Sequence, residues 1–138
     1  MTPEVAVIRV LVADDHRMLR TAIVELLNST GDMEVVAECP DGDQVVDAAL
    51  RTHPDVVLLD LVMPRMPGLQ AARALLAVEP QARVVVLTGS PSPATVAEAR
   101  QLGVRGYLRK DDPPEELPQH LRDVADGGTA WSRTVVSA

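Results

Sequence analysis

The sequence has very little cysteine and very few aromatic residues. Cys39 is the only cysteine among 138 residues. This excludes a disulfide framework and a CxxC metal site, and it favours a reducing compartment. We expect the Cys39 side chain to be a small buried hydrophobe. Apart from histidine, the only aromatic residues are Tyr107 and Trp131, so aliphatic side chains must fill the core.

Long apolar runs and an excess of positive charge are also missing. No run approaches the roughly 20 apolar residues of a membrane-spanning helix, and the N-terminal segment lacks the basic start of a signal peptide. We therefore expect a soluble, cytoplasmic protein. A nucleic-acid surface needs clustered Lys and Arg, whereas the formal net charge is -7. We therefore expect no direct nucleic-acid binding by this segment.

Five short apolar runs alternate with segments of helical spacing. The predicted strands cover residues 5–13, 33–39, 55–60, 83–88 and 104–110. The predicted helices cover about 18–27, 43–51, 68–78, 94–102 and 116–126. This alternation favours a doubly wound α/β sandwich. The first, third and fourth strands are almost continuously apolar, which is typical of strands that helices cover on both faces.

Two features concern the C-terminal part. Pro118 would remove a hydrogen bond from a helix interior, so the fifth helix is expected to start late or bend. A GGT sequence then interrupts this helix near residue 127. We expect one domain over residues 1–127, and the start of a linker or C-terminal tail over residues 128–138.

Polar residues end four of the five predicted strands, and the carboxyl ends of parallel strands meet in one crevice. These residues are Asp14, Asp15, Asp60, Thr88 and Lys110. Singly, each has an ordinary explanation such as a helix cap, a strand hydroxyl or a solvated charge. Together, three crowded carboxylates repel one another, and one ammonium group cannot neutralise them. A divalent cation is therefore expected. Mg²⁺ suits a site with few carboxylates and a phosphate ligand, which implies a phosphoryl substrate.

The segment DLVMPRMPG, from Asp60 to Gly68, resembles the DxxMPxxxG segment after the phosphoacceptor of response-regulator receiver domains. VADDH, LTG and GYLRKD follow the same order and spacing, and the similarity covers about residues 6–130. GYLRKD and DGGTAWS are most similar to the NarL/FixJ type. The resemblance implies a flavodoxin-like, five-stranded parallel sheet of order 2-1-3-4-5 with helices on both faces.

The resemblance also implies a metal site. Asp15 and Asp60 correspond to the metal-binding carboxylates, Asp14 supports them, and the backbone carbonyl of Val62 is a third protein ligand. The expected cofactor is Mg²⁺, for which Mn²⁺ can substitute.

The remaining roles concern phosphoryl transfer and switching. Asp60 corresponds to the acceptor, and Lys110 to the residue that pairs with it and then with the phosphoryl group. Thr88 corresponds to the hydroxyl that turns to bond this group, and Tyr107 to the aromatic switch. From chemistry alone, Tyr107 could equally be a half-buried edge aromatic with no switching role.

In this family the phosphoryl donor is a sensor histidine kinase, and the conformational change controls a helix-turn-helix (LuxR-type) output domain that regulates transcription. We expect a signalling domain rather than an enzyme, one that assists only its own phosphorylation and dephosphorylation. The output domain is expected to be absent from this chain, and homodimerisation through the first and fifth helices or the switch face is left open.

The sequence departs from the family pattern at several positions. Val62 offers no polar side chain to an attacking water and Ser90 offers only a small hydroxyl, so we expect the aspartyl phosphate not to be unusually short-lived. Pro67 stands where many relatives carry Asp. Asp111 stands where many carry Pro, which leaves a cis or trans bond after Lys110 open.

The other candidates have ordinary explanations. His16, His53 and His120 are scattered, so a histidine metal site has little support. His16 is expected at the helix entry or on the surface, although it could lie near the crevice. Trp131 is expected to pack in the tail.

Three other functions remain as alternatives. A haloacid-dehalogenase-type hydrolase also uses Asp, Thr, Lys and Mg²⁺, but it normally has a second Asp where Val62 stands. A receiver-like module that no longer accepts phosphate would not need all five key residues. A flavodoxin-like nucleotide binder would need a glycine-rich loop and stacking aromatics.

Overall fold

The computed structural model describes residues 6–132, which form a single parallel sheet with helices on both faces. The strands are β1 Ile8–Ala13, β2 Met33–Cys39, β3 Val56–Leu59, β4 Val84–Thr88, β5 Gly106–Arg109 and β6 Ala130–Trp131. The helices are α1 Arg17–Asn28, α2 Val45–Thr52, α3 Gly68–Val78, α4 Pro93–Leu102 and α5 Leu117–Ala125. Short 3₁₀ turns at Gly42–Gln44 and Pro114–Glu116 precede α2 and α5. Within residues 6–132, no helix is both long and apolar enough to cross a membrane.

The sheet has the order β2-β1-β3-β4-β5-β6, and every neighbouring pair is parallel. The predicted order of the first five strands is confirmed, but the structure adds a sixth strand within the segment predicted as linker or tail. Gly106 allows this strand to approach β5, because a Cβ at Gly106 would lie 2.6 Å from the Ala130 carbonyl oxygen. Residues 133–138 of the predicted tail lie outside the described part of the chain.

Alternating side chains of each strand point into two separate hydrophobic layers. In β1, Val10 and Val12 pack with buried residues of α1 and α5, such as Leu27. Leu11 and Ala13 point to the opposite layer, which α2, α3 and α4 cover. Helices on both faces explain why the central strands are apolar along their whole length.

The proline-rich approach to α5 explains how this helix begins. Pro113 comes just before a 3₁₀ turn that begins at Pro114, and Pro118 lies in the first turn of α5. Because α5 begins at Leu117, Pro118 falls in the first turn, where a missing N–H costs nothing. The expectation of a late start is therefore confirmed. The bond between Lys110 and Asp111 is trans, because no cis peptide bond occurs in residues 6–132.

Candidate functional site

Backbone hydrogen bonds continue the sheet by one residue at its carboxyl edge and so position the polar residues. The Asp60 N–H donates to the Ala13 carbonyl at 2.9 Å, and the Lys110 N–H donates to the Thr88 carbonyl at 2.8 Å. The Asp14 N–H likewise donates to a β2 carbonyl at 3.0 Å. Residues that are distant in sequence are therefore held in one crevice by the ladder of the sheet itself.

The Lys110 ammonium lies between two buried carboxylates. Its Nζ atom is 3.0 Å from Asp14 Oδ2 and 3.1 Å from Asp60 Oδ2. Both carboxylate side chains are 3% exposed and that of Lys110 is 15% exposed, so solvent screens these pairs weakly. Burial alone would lower the pKa of Lys110, but the hydrogen bonds to Asp14 and Asp60 raise it above its ordinary value.

Asp60 carries an unfavourable negative charge in this crevice. Burial is the main reason that the pKa of Asp60 is raised, and the nearby Asp14 raises it further. Hydrogen bonds from Lys110 and from the Val62 backbone N–H offset part of this effect. Additional positive charge beside Asp60 would therefore be strongly favoured.

The acidic side of the crevice fits a divalent cation. One donor atom from each of four residues, Asp14, Asp15, His16 and Asp60, lies within 4.8 Å of the others. Asp15 Oδ1 is buried and accepts no hydrogen bond, which is costly for a carboxylate oxygen unless a cation contacts it. Three carboxylates and one ammonium group also leave an excess negative charge. The three carboxylates of this set supply the oxygen ligands that Mg²⁺ prefers.

Thr88 ends β4 in a fully buried position. Its hydroxyl oxygen accepts a hydrogen bond from the Ser90 backbone N–H at 3.0 Å, and the Ser90 residue is exposed. Val62 is 62% exposed on the loop after β3. The two residues that were predicted to affect phosphoryl lifetime therefore both lie at the solvent-facing rim.

Tyr107 is completely buried rather than half-buried. Its hydroxyl forms a 2.8 Å hydrogen bond with the Thr95 hydroxyl of α4. Its ring is stacked with Trp131, and the Arg100 guanidinium of α4 lies 4.4 Å from the Trp131 ring centroid. Trp131 does pack at the C-terminal end, as expected, but it packs as part of β6 against the aromatic residue of β5.

Asp41 is a positioning residue that the sequence analysis missed. Its buried carboxylate accepts backbone hydrogen bonds from Gly42, Arg65 and Met66 at 2.7 to 3.2 Å. Burial alone would raise the pKa of Asp41, but these hydrogen bonds lower it below its ordinary value. They tie the loop between β3 and α3, which includes Val62, to the end of β2. The Asp-Gly pair at 41–42 was the available signal, because such pairs favour turns.

His16 does lie in the crevice. It occupies the N-cap position of α1, as predicted, but its side chain makes no capping bond. Its Nδ1 atom is 3.2 Å from Asp14 Oδ1, 3.4 Å from Asp15 Oδ1 and 4.0 Å from Asp60 Oδ2. His53 ends α2 and His120 lies in α5, 3.9 Å from Glu116, so neither belongs to this cluster.

Comparison with known proteins identifies relatives over nearly the whole chain. The family model described as "Response regulator receiver domain" matches residues 10–122. The nitrate/nitrite response regulator protein NarP of Escherichia coli is 38% identical over 133 residues, which cover 96% of this chain and 62% of that protein. The chain spans about 60% of the length of the curated relatives it matches.

Solved structures agree with these sequence relatives. The signal receiver domain of the putative response regulator NarL from Mycobacterium tuberculosis has a TM-score of 0.84 and 37% identity, with 88% of this chain and 98% of that chain covered. A LuxR-family two-component response regulator from Aurantimonas has a TM-score of 0.91 and 28% identity, with 96% and 94% covered.

Proposed function

Because this chain belongs to the response regulator receiver domain family, we propose that Asp60 is the residue that accepts a phosphoryl group from a sensor histidine kinase. Phosphoacceptance is the general function of such domains, and the relatives are regulators of the NarL type. The assignment to Asp60 rests mainly on one observation. Its buried carboxylate lies 3.1 Å from the Lys110 ammonium, on the same edge as Asp14 and Asp15.

In the proposed transfer, a carboxylate oxygen of Asp60 attacks the phosphorus atom of a phosphohistidine. The new O–P bond forms as the P–N bond breaks, and the bonding pair leaves with the imidazole of the kinase. Lys110 neutralises charge on the phosphoryl oxygens as they arrive, because its Nζ already contacts Asp60. The chain supplies positioning and charge, so it is a signalling domain and not a conventional enzyme.

The acidic residues would hold the divalent cation. Asp15 and Asp60 would be the main carboxylate ligands, with Asp14 in support and the Val62 carbonyl as a further ligand. Bound Mg²⁺, or Mn²⁺ in its place, would neutralise negative charge on the phosphoryl oxygens during transfer. The unpartnered Oδ1 atom of Asp15 supports this assignment.

Thr88 and Tyr107 would link the acceptor to the surface. The phosphoryl oxygens would attract the Thr88 hydroxyl, which now accepts a bond from the Ser90 N–H. Movement of Thr88 would alter the packing around Tyr107, which contacts Thr95 on α4 and Trp131 on β6. The signal would thereby reach the surface formed by α4, β5 and α5.

The partners follow from the relatives as part of the same proposal. We propose that a sensor histidine kinase supplies the phosphoryl group in the cytoplasm. In the complete protein, DNA binding would belong to a C-terminal helix-turn-helix domain. Homodimerisation would use either α1 and α5 or the surface formed by α4, β5 and α5. The net charge of -7 supports the assignment of DNA binding to another domain.

The apolar Val62 and the small Ser90 support a phosphoryl group that is not unusually short-lived, because neither side chain positions an attacking water well. A chase experiment on purified, phosphorylated protein measures this directly. A half-life of seconds would contradict this part of the proposal.

Acetyl phosphate with Mg²⁺ tests the acceptor function. The wild-type chain should gain the mass of one phosphoryl group and Asp60→Asn should gain none. Asp55→Asn is a matched control, because Asp55 lies at the other end of β3, where its carboxylate accepts the Arg9 N–H. Failure of the wild-type chain to gain mass would favour a module that no longer accepts phosphate. Steady hydrolysis of a phosphate ester would instead favour a dehalogenase-type hydrolase.

A further inference from the structure

His16 contributes a nitrogen donor to the acidic crevice. Its Nδ1 atom is 3.2 Å from Asp14 Oδ1, 3.4 Å from Asp15 Oδ1 and 4.0 Å from Asp60 Oδ2. Two donors bound to one octahedral ion at about 2.1 Å lie about 3.0 Å apart when adjacent and about 4.2 Å apart when opposite. All three distances therefore fall within the span of a single coordination shell.

The two oxygen atoms of Asp14 face different partners. Asp14 Oδ2 is 3.0 Å from the Lys110 ammonium, whereas Oδ1 accepts the His16 backbone N–H at 2.8 Å and lies near the His16 ring. Asp15 Oδ1, which is buried and accepts no hydrogen bond, lies 3.4 Å from His16 Nδ1. A cation could therefore contact Asp14 Oδ1, Asp15 Oδ1 and His16 Nδ1 without displacing Lys110 from Asp14 Oδ2.

The His16 ring is accessible to a bound ion. Its Nδ1 atom lies 3.4 Å from Lys110 Nζ, and a bound ion would use the lone pair of this nitrogen. The imidazole side chain is 65% exposed, so it can adjust its position by the few tenths of an ångström that coordination needs.

We propose that His16 is a direct ligand in this crevice, and that it gives the site a preference for divalent first-row transition metals over Mg²⁺. Imidazole nitrogen binds Ni²⁺, Co²⁺ and Zn²⁺ well, whereas Mg²⁺ strongly prefers oxygen. With Mg²⁺, a water molecule would take the place of His16. This inference rests on the proposed function, because both use the same carboxylates, but it concerns which ion the site selects.

Calorimetric titration of the whole chain with Ni²⁺ and with Mg²⁺ separates the two ideas. The wild-type chain should bind Ni²⁺ more tightly than Mg²⁺. His16→Ala should weaken Ni²⁺ binding by about tenfold or more, since even residues that only orient ligands affect affinity to this extent. The affinity of His16→Ala for Mg²⁺ should differ far less from that of the wild-type chain. His120→Ala, which removes a histidine from α5, should leave both affinities unchanged.

Electron spin echo spectroscopy of bound Mn²⁺ tests the ligand itself. The wild-type spectrum should show modulation from a directly coordinated imidazole nitrogen, and His16→Ala should lose it. The inference would be overturned if the ratio of Ni²⁺ to Mg²⁺ affinity in His16→Ala stayed within twofold of the wild-type ratio and the wild type showed no nitrogen modulation. Mg²⁺ binding by the same protein would still support the proposed function. Failure to bind any of the three ions would overturn both.

Discussion

The rings of Tyr107 and Trp131 are stacked, with centroids 6.3 Å apart and planes 9° apart. The two residues are paired in register on the neighbouring strands β5 and β6. On the α4 side, Thr95 holds the Tyr107 hydroxyl and Arg100 lies against the Trp131 ring. The aromatic residue expected to act as a switch is therefore connected both to α4 and to the segment that follows α5.

Trp131 should report phosphorylation of Asp60 through its fluorescence. It is the only tryptophan in the chain, and any shift of Tyr107 changes its surroundings. Acetyl phosphate with Mg²⁺ should therefore change the emission intensity or maximum of the wild-type chain but not of Asp60→Asn. Full phosphorylation by mass with unchanged emission would show that the aromatic pair does not respond to the acceptor.

Asp41→Ala should lower the thermal midpoint and slow phosphorylation by about tenfold or more, a typical effect of losing a residue that orients ligands. The substitution leaves the N–H groups of Arg65 and Met66 without the carboxylate that now fixes the loop after β3. Thermal unfolding and the rate of labelling by acetyl phosphate measure the two effects. Asp43→Ala is the control, because Asp43 forms only a 3.7 Å surface pair with Arg65. Equal rates for the two variants would contradict the positioning role.

Gly68→Ala should disturb the backbone at Asp60, directly after β3. A Cβ at Gly68 would lie 2.0 Å from the backbone oxygen of Asp60, so the backbone must move. Overpacking of this kind costs about 1–3 kcal/mol, which denaturant unfolding would detect. At Gly89 the nearest atom to an added Cβ is Lys110 Cδ at 3.7 Å, so Gly89→Ala should be close to neutral in stability. Similar losses in both variants would mean that the Gly68 contact is not the cause.

The sequence predicted those elements whose signals are local. Continuous apolar residues identified β1, β3 and β4, and the polar residues at their ends correctly indicated a shared crevice. Strand β6 was missed because two residues, Ala130 and Trp131, carry no periodicity. They form a strand only because Gly106 lets them approach β5.

The other omissions depend on contacts distant in sequence. Asp41 bonds with residues 24 and 25 positions away, and the Asp-Gly pair at 41–42 indicates a turn but not these partners. His16 was correctly placed at the start of α1, but the direction of its side chain depends on Asp14 and Lys110. Such contacts are fixed by tertiary packing, which overrides local propensity.

The ion pair between Asp32 and Arg122 should stabilise the fold except at strongly acidic pH. Arg122 Nε and Nη2 bond the two Asp32 oxygens at 2.7 and 3.1 Å, and this bonding is the main reason that the pKa of Asp32 falls from 3.8 to about 2. The Asp32 carboxyl group binds its proton less tightly in the folded state than in the unfolded chain. The stabilisation by the pair is therefore complete above about pH 4 and disappears as the pH falls towards 2. The pair is partly exposed, so we expect about 1 kcal/mol or less.

Urea unfolding of the wild-type chain and of Asp32→Asn at several pH values measures this contribution. The difference in unfolding free energy should be largest above about pH 4 and should shrink between pH 4 and 2. A difference that stays constant over this interval would show that ionisation of Asp32 does not stabilise the fold.

Borohydride reduction of the phosphorylated chain would show whether Asp60 itself carries the phosphoryl group. Reduction converts an aspartyl phosphate to homoserine, which peptide mass spectrometry can locate. We predict homoserine at position 60 in the wild-type chain treated with acetyl phosphate and Mg²⁺, and none when Mg²⁺ is chelated. Homoserine at position 14 or 15 instead, or at no position despite a gain in mass, would contradict it.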